Sequence, residues 1–263
     1  ALPLVEPGLA GLLAIVATGL YRFLAIDHEE RVLRKSFALY LSPRLVDRMI
    51  EAERPPELGG ELRQVTVFFS DIVGFSSFSE TMTPQALVTL MNDYLSEMTD
   101  IVEAAGGYVD KYVGDSIVAV FGAPVDDPEH ARHAVQAALR CRERLDELNT
   151  TQAFQGRRIA HRIGLNSGEA LVGNIGSRRR FNYTAMSDAV NLASRLEGAN
   201  KYFGTDILVS EMTVAQTGGE FAWREIDAIR VKGRQQPVKV FALLAEQGRQ
   251  TAEQSARSAT YAC

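Results

Sequence analysis

The sequence is poor in cysteine, has no surplus of positive charge, and contains a single long apolar run. Its two cysteines are Cys141, inside a helical pattern, and Cys263, at the end. That excludes a disulfide framework and fits a reducing compartment. With 28 basic and 33 acidic residues the formal charge is −5 and the pI near 5.5. The basic footprint that a nucleic-acid binder needs is absent, so no nucleic acid is expected as partner. What is present is 263 residues at 46% hydrophobic and 23% charged composition, enough for one sizeable folded domain with appendages.

The apolar run is "PGLAGLLAIVATGLYRFLAI", Pro7 to Ile26, whose one charged residue is Arg22. Without an initiator Met, a basic leading region or a small-residue cleavage site, it does not read as a signal peptide. It is expected to be the last transmembrane helix of a longer protein, with Tyr21, Arg22 and Phe23 at the interface and Arg31, Arg34 and Lys35 inside; the alternative is a buried core helix. That implies a domain held at the inner membrane with its folded part in the cytoplasm. Residues 27–60 then read as two short helices, the second opened by Ser42 and Pro43, and closed by "PPELGG". They are either a dimerising linker or helices packed on their own domain. The expected division is therefore a span over 1–26, a linker over 27–60, a folded domain over 61–246 and an unpatterned polar tail over 247–263.

From Glu61 strand and helix patterns intermix. "RQVTVFFS" reads as a strand, and a helix follows from the Thr83–Pro84 cap to the Gly106–Gly107 stop, with apolar residues from Leu87 to Val102 at helical spacing. "YVDKYVGDSIVAVFG" predicts a hairpin turning at Gly114 and Asp115. A second helix is expected from Asp127 and Pro128, strands at "RRIAHRIGLNSG" and "EALVGNIG", a third helix at "SDAVNLASRLEGANKYFG", and three further strands. The mixture with hairpins predicts an α+β fold, helices over one face of the sheet, rather than a doubly wound parallel sheet.

In "VTVFFSDIVGFSSF" an apolar strand ends on Asp71, where a buried carboxylate needs neutralising. If this strand pairs beside the hairpin, Asp71 and Asp115 meet at one sheet edge and repel unless a cation lies between them. Oxygen ligands of this kind suit Mg²⁺ or Mn²⁺ bridged to substrate phosphates. Gly74 and its neighbours offer backbone N–H groups ahead of a helix, a phosphate-binding arrangement. Each piece alone is ordinary turn chemistry; together they read as a metal–nucleotide site.

Four ordered blocks, "FFSDIVGFSSF", "DKYVGDSIVAVFGAP", "NSGEALVGNIGS" and "SDAVNLASRLE", resemble the class III nucleotide cyclases, over about Arg63 to Leu244. The resemblance implies a ferredoxin-like βαββαβ core working as a head-to-tail homodimer, neither active site complete in one chain. It implies two divalent cations, Mg²⁺ or Mn²⁺, held by Asp71, Asp115 and the Ile72 carbonyl, with phosphate on the backbone of Gly74, Phe75 and Ser76. It makes Lys111 and Thr184 the purine readers, Asn191 and Arg195 the pair acting on the ribose and the transition state, and Lys232 a triphosphate ligand. Arg179 is matched to the same phosphates, with Arg178 and Arg180 as alternatives. The i, i+4 spacing of Asn191 and Arg195 independently puts both on one helix face.

Lys at 111, where a guanine reader would show Glu, implies ATP as substrate and 3′,5′-cyclic AMP with pyrophosphate as products. Thr184 stands where many adenylyl cyclases carry Asp, and resembles a subgroup with bicarbonate-responsive members. Ser187 replaces a usual Gly and is expected to cap the following helix. Two other readings remain: a nucleotide-binding but inactive half of a heterodimer, and a tethered dimerisation module. A GGDEF-type signature is absent, which separates the chain from diguanylate cyclases. His130 and His133 are expected to be solvated or helix-terminal, "RCRER" an exposed helix face, and Cys141 a small buried hydrophobe.

Overall fold

Strand β1 (Gly59–Ile72) is the spine of the molecule, pairing antiparallel with β3 (Ser116–Phe121) on one side and β4 (His161–Ser177) on the other. The computed structural model describes residues 5–21, 57–151, 153–154, 156–229 and 237–249. The chain divides into two units, Ala1–Pro55 and Pro56–Cys263.

In the first unit one helix is described, α1 (Val5–Tyr21), of 17 residues. At 1.5 Å per residue it is about 25 Å long, short of the roughly 30 Å hydrocarbon core. Among the described residues no helix is long and apolar enough to cross a membrane. The expected span is thus not borne out over the part of it that is described, and residues 22–26 lie outside the described residues. So does the expected linker over 27–60 as far as residue 56.

The second unit begins with β1, two residues before the expected boundary at Glu61. After it come α2 (Phe75–Ser79), α3 (Pro84–Ala104), β2 (Tyr108–Val113), β3, α4 (His130–Thr150), β4, β5 (Arg180–Met186) and α5 (Asp188–Phe203). The chain continues through β6 (Ile207–Ser210), α6 (Glu211–Val214), β7 (Phe221–Ile229) and β8 (Val238–Glu246). The sheet order is β2-β3-β1-β4-β6-β8-β7, with β5 pairing to β4 off this path. The segment β1-α3-β2-β3-α4-β4 gives the βαββαβ connection and the strand order β2-β3-β1-β4, which is the expected ferredoxin-like core.

The helices form where the sequence supplies caps and apolar stripes. Thr83 Oγ1 accepts from the Ala86 amide at 3.3 Å with Pro84 in the first turn, and Leu90, Tyr94, Met98 and Val102 turn one buried stripe onto the sheet. Helix α4 adds Ala134, Val135, Ala138, Cys141 and Leu145 to the same core, against Phe68, Ile72, Ile117, Phe121 and Leu165. Each large side chain fully buried here contributes roughly 1.5–3 kcal/mol.

Helix α5 lies on the other face of the sheet, so the helices do not share one face as expected. Leu192 and Leu196 pack with Leu208, Val238 and Val240, whereas Ile207 and Val209, the neighbours of Leu208 on β6, belong to the core under α3 and α4. The period-2 alternation of a strand requires those sets to face opposite ways. The approach is close: a Cβ at Gly164 would lie 2.2 Å from the Glu197 backbone N and 2.3 Å from the Ala193 carbonyl oxygen.

Further differences have physical causes. "RRIAHRIGLNSG" and "EALVGNIG" form one continuous strand, β4, because the glycine between them stays in register with β1, Gly168 opposite Val65. The Arg-rich segment after it folds back as β5. Helix α4 starts at His130, the Asp127 side chain accepting from the Glu129 amide just before it. His130 is helix-terminal, one of the two expected readings, but buried rather than solvated, its Nδ1 2.7 Å from Thr66 Oγ1, while His133 Nδ1 lies 2.6 Å from Asp127 Oδ2. Arg142 of "RCRER" reaches the carbonyls of Leu243 and Leu244 at 3.2 and 2.7 Å, clamping β8. The first residues of the expected tail are ordered, the Gln247 amide donating to the Glu220 carbonyl at 2.7 Å, and 250–263 lie outside the described residues.

Candidate active site

Asp71 and Asp115 come together where β1 ends beside the β2–β3 turn. Asp71 Oδ1 accepts from Ser116 Oγ at 2.7 Å, and Asp115 Oδ2 accepts from the Ile72 amide at 3.1 Å. Register explains the meeting: Ser70 is opposite Ile117, so the turn at Gly114–Asp115 overhangs the last residues of β1. Burial, and then the charge of Asp71, push the Asp115 carboxyl up to about 6.

A third carboxyl completes this acidic field. Glu197 of α5 is held up to about 7, first by burial and then by the charge of Asp71, with Arg162 opposing. Arg162 is the β4 residue paired with Asp71, and Glu197 Oε1 is buried without a hydrogen-bond partner. The sequence reading missed Glu197; its signal was an acid four residues after Ala193, in the apolar stripe formed with Leu192 and Leu196.

The donor set fits a hard divalent cation. Its side-chain groups are oxygen only, and a cation would offset both the burial and the Asp71 charge that raise the Asp115 carboxyl. Among the described residues no group of three or more His, Cys, Asp or Glu side chains could hold a metal by itself. A cation bound here would take its remaining ligands from outside these side chains.

Directly after this edge, Gly74 takes φ 70°, ψ 21°, a left-handed conformation suited to glycine, and starts the one-turn helix α2. The first amides of a helix have no partner within it, and here they belong to Phe75 and Ser76. The Phe75 ring meets Phe78 edge-on with centroids 5.2 Å apart and packs on the core, which fixes the turn.

Lys111 and Thr184 form a second cluster, on β2 and β5. Lys111 Nζ donates to Thr184 Oγ1 at 3.1 Å across 73 residues of sequence. Beneath them lies Asp110, whose side chain is 3% exposed; Thr184 Oγ1 donates to Asp110 Oδ2 at 2.5 Å, and Lys111 Nζ is 3.4 Å from the same oxygen. Asp110 occupies the register shift between Val109 and Lys111. The two strands are joined again where Tyr108 Oη donates to the Tyr183 carbonyl at 2.9 Å. Asp110 was also missed; an acid beside a lysine in a strand was the available signal.

The remaining candidates lie on exposed surfaces. Asn191 and Arg195 sit one turn apart on the outward side of α5, which Ser187 caps as expected, accepting from the Ala189 and Val190 amides at 3.1 and 3.3 Å. Arg178, Arg179 and Arg180 crown the β4–β5 turn, where Ser177 Oγ accepts from the Arg180 amide at 3.1 Å. Lys232 lies outside the described residues.

Residues 60–245 match the adenylate and guanylate cyclase catalytic domain. The chain belongs to that family. Among curated proteins it is similar to adenylate cyclase 1 of Rhizobium meliloti, 37% identical over 207 residues, and to an adenylate cyclase of Anabaena cylindrica, 33% identical over 225 residues. These alignments cover 78% and 82% of this chain, but the chain spans 31% and 42% of those longer proteins. Among solved structures, the adenylyl cyclase CyaB of P. aeruginosa superposes with TM-score 0.67 at 35% identity, covering 73% of this chain and 98% of that one. The guanylyl cyclase Cya2 does so with TM-score 0.67 at 31% identity, covering 73% and 97%. Equal superposition on a cyclase of each kind means that the cyclase fold does not select the purine, so that choice rests on individual side chains.

Proposed function

We propose that this cyclase domain converts ATP to 3′,5′-cyclic AMP and pyrophosphate, as part of intracellular signalling. The observation that carries the reading is the bond from Lys111 Nζ to Thr184 Oγ1. It sets an ammonium donor beside a hydroxyl that can accept, the complement of adenine N1 and its 6-amino group. Guanine presents an N1–H and a carbonyl there, the reverse pattern.

In this reading Asp71, Asp115 and the Ile72 carbonyl hold two divalent cations, Mg²⁺ or Mn²⁺, with the β- and γ-phosphates on the backbone of Gly74, Phe75 and Ser76. When bound, the cations neutralise the triphosphate and acidify the ribose 3′-hydroxyl. That oxygen attacks the α-phosphorus, the bond to pyrophosphate breaks, and the hydroxyl proton leaves to solvent. Asn191 orients the ribose, and Arg195 meets the charge that grows on the transferring phosphorus centre. Arg179, with Lys232, binds the triphosphate.

The working form is a homodimer in which one subunit supplies the acids and its partner the purine readers, Asn191 and Arg195. Apolar side chains left exposed beside both clusters support this: Val73 follows Ile72 at 41% exposure, Tyr112 and Val113 follow Lys111 at 48% and 58%, and Met186 closes the Thr184 strand at 56%. A substrate restricted to the cell interior puts the domain on the cytoplasmic side. Bicarbonate activation, implied by Thr184, is tested by turnover at fixed pH with and without bicarbonate.

The deciding experiment is product formation from ATP and from GTP, under Mg²⁺ and then Mn²⁺, with Asp71→Ala as control. Cyclic AMP that disappears in the control and rises more than linearly with protein concentration supports the whole reading. Nucleotide binding without product favours an inactive half of a heterodimer.

A further inference from the structure

We infer that Asp110 is a specificity-determining residue, which fixes the Thr184 hydroxyl as a hydrogen-bond acceptor toward the purine and so rejects guanine. The inference rests on the adenylate cyclase reading of the same site and adds to it a residue that does not touch the nucleotide.

A threonine hydroxyl has one hydrogen and two lone pairs, and left to rotate it serves a donor or an acceptor equally well. A free Thr184 would therefore accept from the adenine 6-amino group or donate to the guanine 6-carbonyl with little preference. Here the hydrogen is committed, since Thr184 Oγ1 donates to Asp110 Oδ2 at 2.5 Å. One lone pair is taken by Lys111 Nζ at 3.1 Å. What remains to face a ligand is a single lone pair, able to accept and unable to donate. Against it the adenine amine makes a hydrogen bond, and the guanine carbonyl meets oxygen lone pairs head on.

Asp110 is placed for this role, and the same bond ties β2 to β5. Its side chain is 3% exposed and lies at the bulge of β2, where the register shift turns it toward β5. Burial pushes its carboxyl up, while the Thr184 hydroxyl, the Lys111 ammonium and the Ala185 amide pull it back. An aliphatic side chain would avoid that desolvation, so the acid serves something other than packing. The same carboxylate, 3.4 Å from Lys111 Nζ, keeps the ammonium beside Thr184 with its remaining N–H groups for the ring nitrogen.

The test uses the full chain as wild type, Asp110→Ala, Thr184→Ala and the double variant, each checked for its fold by circular dichroism. Each is assayed with ATP, GTP and purine riboside triphosphate, the ATP analogue lacking the 6-amino group. Asp110→Ala is expected to raise kcat/KM for GTP relative to ATP by about tenfold and to shrink the preference for ATP over the analogue. On the Thr184→Ala background it is expected to change neither ratio, because the hydroxyl it acts through is gone. Equal losses for all three nucleotides, or an undiminished effect on the Thr184→Ala background, would overturn the inference in favour of a structural role. Should Asp110→Ala fail to fold, Asp110→Leu fills the space with carbon and is expected to move the ratios the same way. Equilibrium binding of the three nucleotides reads the same preferences without turnover. A wild type that discriminates in binding but forms no cyclic nucleotide sinks the cyclase reading and leaves this one standing; a wild type that binds all three alike sinks this one.

Discussion

Two acidic clusters flank the β2–β3 hairpin, and they handle buried charge in opposite ways. At the turn, Asp115 faces another acid, Asp71, and the pair accepts from neutral donors, the Ile72 amide and the Ser116 hydroxyl; at the start of the hairpin, Asp110 is met by a hydroxyl and an ammonium from its own subunit. Burial raises both carboxyls, yet the first cluster is short of positive charge and the second is not. The lesson is a division of labour. A site lacking charge recruits its missing part from solution and changes state when it does; a site already compensated reads a ligand without changing state.

The largest effect should come from removing that demand for a cation. Asp71→Ala and Asp115→Ala are each expected to lower cyclic AMP formation by about 10³-fold or more, measured at saturating Mn²⁺. Next, Arg195→Ala should lower kcat by roughly 10²-fold with little change in KM, since its partner charge grows only in the transition state. Thr184→Ala, in the compensated cluster, should instead act mainly on KM; a kcat loss as deep as that of Arg195→Ala would break the distinction.

A stability measurement sharpens the contrast. The Asp115 carboxyl, raised to about 6 from an unfolded value near 4, contributes stability at low pH that is lost as pH rises through 6. Mn²⁺ should therefore raise the melting temperature more at about pH 7.5 than at about pH 5, where a proton competes for the site. Asp110→Ala should keep that Mn²⁺ response and Asp115→Asn should lose it. Asp71→Asn, which relieves the like-charge pair but keeps an acceptor for Ser116, should raise the melting temperature of the metal-free protein by roughly 2–4 °C, after allowance for solvent screening.

A control for all of these is the buried His161, close beneath the acid edge. Burial, aided by the Arg142 charge, lowers it to about 4, against an unfolded value near 6.5. Its contribution is complete above the unfolded value and falls as pH drops toward 4, by up to about 3 kcal/mol. Acid melts of His161→Gln should show a shallower loss over that window, with no change in the Mn²⁺ response.

Much of this was legible in the sequence because it depends on local rules. Thr83–Pro84 and Ser187 are caps that act on their own helices, Gly114–Asp115 is a turn that needs no distant partner, and the meeting of Asp71 with Asp115 followed from pairing β1 with that hairpin. What was not legible depended on the third dimension. The side of the sheet taken by α5 depends on what the sheet offers its Leu192 and Leu196 stripe, the apolar residues of β6 and β8 and the bare backbone at Gly164, which the helix's own pattern does not reveal. Strand β4 was split at Gly168 because glycine reads locally as a break, although fourteen consecutive pairings with β1 carry the strand through it. Asp110 and Glu197 passed as ordinary charged residues because their neighbours in space are remote in sequence: Thr184 lies 74 residues beyond Asp110, and Asp71, which acts on Glu197 of α5, is at the end of β1.

The contact at Gly164 has a bearing on control. At Gly164 the backbone of α5 is seated directly on β4, and beside it Leu192 and Leu196 key the helix to β6 and β8, which leaves it little freedom to slide or roll. Asn191 and Arg195 are in effect teeth cut into the sheet, and in the homodimer proposed above a change of gear would come from shifting one whole subunit against the other.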